Sequence, residues 1–450
     1  MISNQRHALL NETQRSGARV TANRWVALNV LRALRAGDLL DVAFARLAPQ
    51  VSVRDRAWVQ ELVYGTERLR GRIDFQLARF LKSPMDALEP DVLDILRLGA
   101  YQLLEMNGVP AYAAVSQSVE LTRNVSGRGA TGLVNGVLQS LRRSDAELTP
   151  PVGRDAVQHL STWGSHPRWL VERWLHYFGR AETEQLTSAN NQRPELFLRL
   201  IGIGREEAIS RLQEDGMTVD AVAAVPDAIR VIEGSVVRAL ELVPSVVQDP
   251  AAMLVVQFAE FSAEPLADLC AAPGGKSLAA TVSTKQKARF VVAADVSWPR
   301  LQRVRDNAHR IGSTDIAFAV ADARTPPLRV IPQLLIDAPC TGTGTLRRHP
   351  DGKWRLRQSD LAALVTLQRE ILDGAAPCIA PGGLLVYATC SLEPEENEMQ
   401  VEQFLDQHRE FALEPPSNEQ AEWARDGVLR VWPQRHGFDG AFAARLRRAA

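Results

Sequence analysis

The sequence predicts a multidomain chain in three parts: an all-α helical bundle, a small α+β subdomain, and an α/β Rossmann-like domain built on a doubly wound sheet. Three observations predict it. Apolar residues recur at helical spacing from about 19 to 145, proline and glycine cluster between 146 and 165, and short apolar strands alternate with helical stretches after 246. At 450 residues the chain also exceeds one ordinary core, since a domain usually takes roughly 100–200 residues.

Each part has its own signals. Residues 1–35 hold six arginines (Arg6, Arg15, Arg19, Arg24, Arg32, Arg35) against Glu12, which reads as a flexible basic tail over 1–18 leading into a helix, in preference to a transit peptide. The helical part, 19–145, carries Val92, Ile95, Leu96 and Leu98, then Val115, Val119 and Leu121. Breaks are expected at Ser83-Pro84, Glu89-Pro90 and Gly108-Val109-Pro110, because proline lacks a donor and restricts its neighbour. A linker is expected over 146–165, through Thr149-Pro150-Pro151 and Trp163-Gly164-Ser165. In 166–245 an amphipathic helix from Pro167 to Phe178 precedes alternating stretches such as Leu196–Ile201. From 246 to 450, strands are expected at 266–270, 290–295, 316–320, 333–337 and 383–388.

Composition narrows the function classes. Hydrophobic residues make up 46% and charged residues 23%, as in soluble globular chains, and the net charge of -1 excludes a uniformly basic coat for nucleic acid. Any polyanion site is therefore local. Lysine occurs only at 82, 276, 285, 287 and 353, so nearly all basic residues are arginine. Four cysteines without a C-x-x-C pair make no disulfide framework and fit a reducing cytoplasm. The histidines form no zinc motif, so no metal is expected. No apolar run reaches the roughly 18 residues that cross a bilayer.

The sharpest motif is DLCAAPGGKS, 268–277, where an apolar strand meets a glycine-rich turn and opens a helix. Such turns let a ligand approach the backbone and meet amides at a helix N-terminus. A P-loop would require glycine at 270, where Cys270 stands, so a nucleoside triphosphate is excluded. The next strand ends at Asp295 and the following one at Asp322; acids so placed accept from ribose hydroxyls in this topology. Either acid alone is more often a turn residue, but with the loop they favour an adenosyl cofactor.

Two further strand ends carry cysteine, IDAPCTGTGTLRRHP (336–350) and YATCSLEPEEN (387–397). A buried cysteine is usually inert, and Cys378, before Pro381-Gly382-Gly383, is expected to be structural. Cys340 and Cys390 are different, because both follow strands on the ligand side of the sheet. The residues alone leave the order of the two thiols open.

These motifs, with HGFDGAFAARL (436–446) and VQDPAA (247–252), resemble the bacterial ribosomal RNA cytosine-5 methyltransferases of the Sun or RsmB type. The resemblance extends to RDRAWVQELVYGTERLR (54–70), LRLGAYQLL (96–104) and GLVNGVLQSLRR (132–143), which look like that family's NusB-like RNA-binding domain. It implies S-adenosylmethionine as cofactor, held by Cys270, Ala271, Ala272, Pro273, Gly274, Gly275, Lys276 and Asp295, with Asp322 toward the adenine and Asp337 between cofactor and target base. It also implies Cys390 as nucleophile and Cys340 as the group that assists product release, with Asp337 at the cytosine edge. Covalent catalysis suits this target: cytosine carbon 5 is a poor nucleophile until a thiolate adds to carbon 6.

RNA must reach the site unpaired or flipped. Residues 346–358 carry five basic side chains against Asp351, surrounding Trp354. Arg347, Arg348, His349, Lys353, Trp354 and Arg355 are accordingly expected to contact RNA through phosphates and stacking, in preference to Trp354 simply packing beneath the loop. The domain arrangement implies 16S ribosomal RNA, with transfer RNA as the alternative substrate and a non-catalytic NusB-like antitermination factor as the alternative class. An exocyclic amino methyltransferase would want an Asn/Asp-Pro-Pro-aromatic segment where Asp337-Ala338-Pro339-Cys340 stands. A monomer in the cytoplasm, away from membranes, completes the expectation.

Overall fold

The computed structural model describes residues 20–144, 155–282, 288, 290–417, 423–425 and 427–450. The expected basic tail (1–18) and the first half of the expected linker (146–154) lie outside the described residues. The chain packs as two compact units, one ending at Asn191 and including His349–Trp354, the other comprising Gln192–Arg348 and Arg355–Ala450.

The first unit is helical: α1 (Ala22–Arg35), α2 (Leu40–Leu47), α3 (Val53–Arg68), α4 (Arg70–Ala78), α5 (Pro90–Leu104), α6 (Ala111–Val125), α7 (Arg128–Arg143), α8 (Ala156–Thr162) and α9 (Arg168–Asn190). The expected breaks are real. Pro90 opens α5 at a position whose missing N–H costs nothing, and Pro110 precedes α6. Helix α7 buries Val134, Val137, Leu138 and Leu141, one stripe at helical spacing, against a core that includes Leu28, Leu62, Ile95 and Leu96. Part of the expected linker is helical, since Asp155 caps α8 by accepting from Val157 N and Gln158 N. Helix α9, which was to open the α+β subdomain, packs with this first unit and kinks at Gly179, whose φ is 75°.

The second unit opens with β1 (Leu196–Leu200), α10 (Arg205–Glu214), β2 (Thr218–Ala221), β3 (Ala228–Glu233), α11 (Val236–Leu242) and β4 (Ser245–Val247). These form an antiparallel sheet in the order β2-β3-β1-β4, a βαββαβ unit. Both helices cover one face, where Ala208, Leu212 and Ala239 meet Leu198, Ile229 and Val231.

There follow α12 (Pro250–Ala259), β5 (Leu266–Asp268), α13 (Gly275–Val282), β6 (Val291–Asp295), α14 (Trp298–Arg310), β7 (Ile316–Val320), β8 (Ile331–Asp337), α15 (Gly352–Arg355), α16 (Gln358–Ala375), β9 (Ile379–Thr389), α17 (Glu398–Gln407), β10 (Phe411–Leu413), β11 (Ala424–Arg425), β12 (Val428–Val431), α18 (Pro433–His436) and β13 (Ala441–Arg448). All five expected strands are present and pair in parallel in the order β9-β8-β5-β6-β7. The sheet continues past β9 through antiparallel β13, β12 and β11, with β10 also on β13, so it is mixed. The chain reverses its direction of growth between β5 and β8. In open sheets a ligand crevice forms outside the carboxyl ends of strands at that point.

Candidate active site

Strand β5 delivers Asp268 to the carboxyl edge, where the carboxylate is fully buried. Its Oδ2 accepts from Ser277 Oγ at 2.5 Å and its Oδ1 from Cys270 N at 3.3 Å, tying both ends of the glycine-rich turn to the strand. Burial pushes the Asp268 carboxyl up to about 7, against the opposing pull of the Ser277 hydroxyl. Next to this turn, Asp295 at the end of β6 accepts from Ala272 N (3.3 Å) and Ser297 N (2.9 Å) and is 2% exposed. Two of its acceptor sites thus hold the loop and the start of α14. Asp322 instead forks around its neighbour Arg324, with Nη2 to Oδ2 at 2.7 Å, which lowers its carboxyl to about 2.

Gly275 opens α13 close against the Gln248 side chain: a Cβ there would stand 2.8 Å from Gln248 Nε2, which would have to move aside. From the same turn Lys276 reaches toward β8, and its Nζ donates to Asp337 Oδ2 at 2.7 Å. Burial opposes the Lys276 charge, but Asp337 and the nearby Cys390 outweigh it and hold the ammonium above its ordinary range. Lys276 thus interacts with Cys390 as well as belonging to the glycine-rich turn.

Cys340 and Cys390 come together. Strands β8 and β9 are neighbours, Ala338 N donates to Ala388 O at 2.8 Å, and the two Sγ atoms lie 3.5 Å apart as free thiols. The hydrogen bond from Cys390, then burial, pushes the Cys340 thiol well above the ordinary range. Gly344 makes the approach of the loops possible: its N–H donates to Cys390 O at 2.9 Å and its carbonyl accepts from Gly440 N at 2.8 Å. A Cβ on Gly344 would fall 2.7 Å from both Cys390 O and Gly440 Cα.

Beneath the thiols lies a network that the sequence reading missed. Glu396, fully buried, accepts at Oε1 from Thr341 N and Gln368 Nε2, both at 2.9 Å, and at Oε2 from Thr341 Oγ1 at 2.5 Å. Thr341 Oγ1 also lies 3.1 Å from Ser391 Oγ. One carboxylate thus fixes residues adjacent to both cysteines. The acidic run 393–397 was visible in the sequence, but nothing in it said that one glutamate turns inward. Cys378 is buried, with Sγ 3.8 Å from Leu328 O, away from the thiol pair.

The expected RNA-contact segment needs correction. Arg348 is consumed by Asp439 Oδ2 (2.6 Å), Asp249 Oδ2 (2.5 Å) and Glu195 O (3.1 Å). Arg347, 4% exposed, donates to Gly437 O. Lys353 is fully buried in the first unit, with Nζ on Asn191 Oδ1 (2.7 Å) and Arg68 O (3.1 Å). Trp354 Nε1 donates to Glu67 O at 2.7 Å while Arg70 stacks on its ring. All four side chains thus have partners inside the protein, with Arg347 and Lys353 buried and Arg348 and Trp354 partly so. His349, paired with Asp41 at 2.7 Å, and Arg355 stay exposed.

Comparison with known proteins adds to this geometry. The family model described as 16S rRNA methyltransferase RsmB/F matches residues 256–447, that of the NusB family matches 21–143, and that of an RsmF/B-like ferredoxin-like domain matches 166–238. A Synechocystis protein named "Probable ribosomal RNA small subunit methyltransferase B" is 33% identical over 95% of this chain and 99% of its own length. "Ribosomal RNA small subunit methyltransferase B" of Erwinia tasmaniensis is 34% identical over 93% of this chain and 97% of its own. Among solved structures, one titled "Crystal Structure of PH0851" superposes with a TM-score of 0.79 at 25% identity, covering 97% of this chain and 100% of that one. NSun6 from Pyrococcus horikoshii, titled as solved with SFG, shares the fold at a TM-score of 0.55 and 20% identity, over 63% of this chain and 98% of its own.

Proposed function

The chain belongs to the 16S rRNA methyltransferase RsmB/F family, and from that premise we propose that it methylates carbon 5 of a cytosine in 16S ribosomal RNA, using S-adenosylmethionine and a covalent bond to Cys390. The observation that carries the cytosine reading is the pair of free thiols 3.5 Å apart at the carboxyl ends of β8 and β9. Methylation of an exocyclic amine needs no thiol, whereas carbon 5 of cytosine becomes nucleophilic only after addition at carbon 6.

The residues of the turn fit the cofactor: close backbone at Gly275, amides at the start of α13, and a buried carboxylate on β6 whose lone pairs not used by Ala272 N and Ser297 N would accept from ribose hydroxyls. Cysteine 270 through Lys276 would hold it, with Asp295 and Asp322 on its adenosine side. When bound, it supplies an electrophilic methyl group on sulfonium.

The chain's own residues do the rest. Cys390 adds as thiolate, its Sγ bonding to cytosine carbon 6, and carbon 5 gains the electron pair that takes the methyl group. The Lys276 ammonium, whose charge Cys390 helps to hold, stabilises that thiolate. Asp337 holds Lys276, and its carboxylate would accept from the amino edge of the cytosine. A base, solvent water among the groups that can serve, then takes the proton from carbon 5, and its C–H electron pair re-forms the 5,6 double bond as the bond from carbon 6 to sulfur breaks and the Cys390 thiolate leaves. Cys340, kept as a thiol by its surroundings, is placed beside the bond that breaks and assists this last step. The domains that surround this chemistry are proposed as an RNA-binding helical part over 19–145, an RNA-recognition-like subdomain over 166–245, and the catalytic part over 246–450.

Incubation of the purified protein with unmodified 16S RNA and labelled cofactor, followed by nucleoside digestion, tests the reading. Label is expected in 5-methylcytidine alone. Label in an N-methylated nucleoside, or in transfer RNA but not 16S RNA, would overturn the corresponding part.

A further inference from the structure

Between β9 and α17 the short turn Pro394–Glu396 runs into Asn397, and these two consecutive side chains, Glu396 and Asn397, serve different cysteine loops. Their backbone is fixed: Glu396 N donates to Glu393 O at 3.1 Å, Asn397 N donates to Pro394 O at 3.2 Å, and Glu396 O accepts from Tyr387 Oη at 2.7 Å. Glu396 is fully buried and Asn397 nearly so.

Glu396 grips the Cys340 side. Its Oε1 accepts from Thr341 N, in the peptide group after Cys340, and from Gln368 Nε2. That same Nε2 donates to Pro339 O at 2.9 Å, in the peptide group before Cys340. Both peptide groups of Cys340 are therefore held by one pair of side chains. Asn397 holds Cys390 in a similar way. Its Oδ1 accepts from Thr389 Oγ1 at 2.6 Å and its Nδ2 donates to Ser391 O at 2.9 Å, so one carboxamide fastens the residues before and after Cys390. Ser391 N closes the ring on Thr389 Oγ1 at 3.2 Å.

Stability alone gives no reason for this arrangement. A buried carboxylate loses hydration that its hydrogen bonds at best offset, and well-packed apolar side chains of similar volume would stabilise such a site as well. What directional bonds to the neighbours of a reacting residue provide is geometry, and a small misplacement of a reacting group slows its step.

We propose that Glu396 and Asn397 are positioning residues for separate steps of the reaction: Asn397, through Thr389 and Ser391, sets Cys390 for bonding to the base, and Glu396, with Gln368, sets Cys340 for release. The inference rests on the covalent mechanism above and deepens it. The Glu396 charge also adds to the Cys390 hydrogen bond and the burial that hold Cys340 as a thiol.

Rapid-quench single-turnover reactions of the full chain with 16S RNA, resolved on denaturing gels, follow the covalent adduct as it forms and decays. Asn397→Ala should slow formation about tenfold and leave decay within about twofold, whereas Glu396→Ala should slow decay about tenfold and leave formation within about twofold. Glu396→Gln keeps an acceptor for Thr341 N and Gln368 Nε2 and should return decay to within about threefold of normal. Gln368→Met releases Pro339 O but leaves the carboxylate on Thr341; it should slow decay in the same sense and serves if Glu396→Ala unsettles the fold. Equal slowing of both steps by both alanine variants, as a general loosening of the site would give, overturns the assignment, and so do normal kinetics in either. If neither the unaltered protein nor Cys340→Ala forms an adduct, the covalent reading itself fails, and this inference with it.

Discussion

Cys340 lies 3.5 Å from Cys390, and the hydrogen bond between the thiols, with burial, keeps Cys340 protonated well above the usual cysteine range. A thiol that stays protonated at neutral pH is a poor nucleophile, whereas Cys390 has the Lys276 ammonium near it. The Lys276 ammonium near Cys390 favours that thiol as the nucleophile, the role that the family resemblance implied and the residue types had left open. Replacing Cys390 with alanine should abolish methyl transfer, by at least about 1,000-fold, while calorimetry finds S-adenosylhomocysteine bound within a few-fold of normal; substantial turnover would reassign the nucleophile. Replacing Cys340 with alanine should trap the covalent complex, seen on a denaturing gel as protein retarded by RNA. Absence of that band would exclude a role in release. Both variants test what the sequence showed only by resemblance, because two cysteines on adjacent strand ends look alike until their surroundings are known.

Among the elements, the turn between β5 and α13 is the most readable part of the site. Its glycines, its strand and its helix start were all legible in DLCAAPGGKS, since local sequence sets that backbone. What was not legible is that Asp268 would be sealed beneath it, linking Ser277 to Cys270 N. Its carboxyl rises to about 7 in the folded protein, against about 3.9 in an unfolded chain. A group whose folded value is raised contributes stability that is complete below about pH 4 and is lost as pH rises toward 7. The stability of the protein relative to Asp268→Asn should therefore fall between those limits, by on the order of 4 kcal/mol at most. Urea titrations of both proteins at pH 5 and pH 8 measure this; a difference that does not change with pH would contradict it. The antiparallel strands β10 to β13 were missed, and for β13 the reason is related. Ala441–Leu446 is buried on both faces, so the sequence there lacks the alternation that marks a half-exposed strand.

At the scale of the whole molecule, the net charge of -1 offers no general attraction to RNA, so affinity must come from local positive groups. Charge density along 346–358 does not tell the buried groups there from the exposed ones. Lys353 is enclosed by the first unit, whereas Arg355 is exposed. Filter binding across a salt series should show that Arg355→Ala lowers the salt slope by about one phosphate contact, while Lys353→Met leaves the slope unchanged. The same Lys353→Met change strips the donor from Asn191 Oδ1 and Arg68 O and should cost about 1–3 kcal/mol of stability in thermal unfolding. A lowered slope for Lys353→Met would restore it as an RNA contact. The amino-acid sequence by itself determined the succession of helical, α+β and Rossmann-like parts, the cofactor turn and the candidate thiols, because periodicity and turn chemistry act over a few residues. Only the tertiary structure decided which charges along 346–358 are exposed, which glutamate ties the two cysteine loops together, and that Gln248 stands over Gly275. Those facts depend on burial and on contacts between residues far apart in the chain, where the energy of a polar group is set by its neighbours in space.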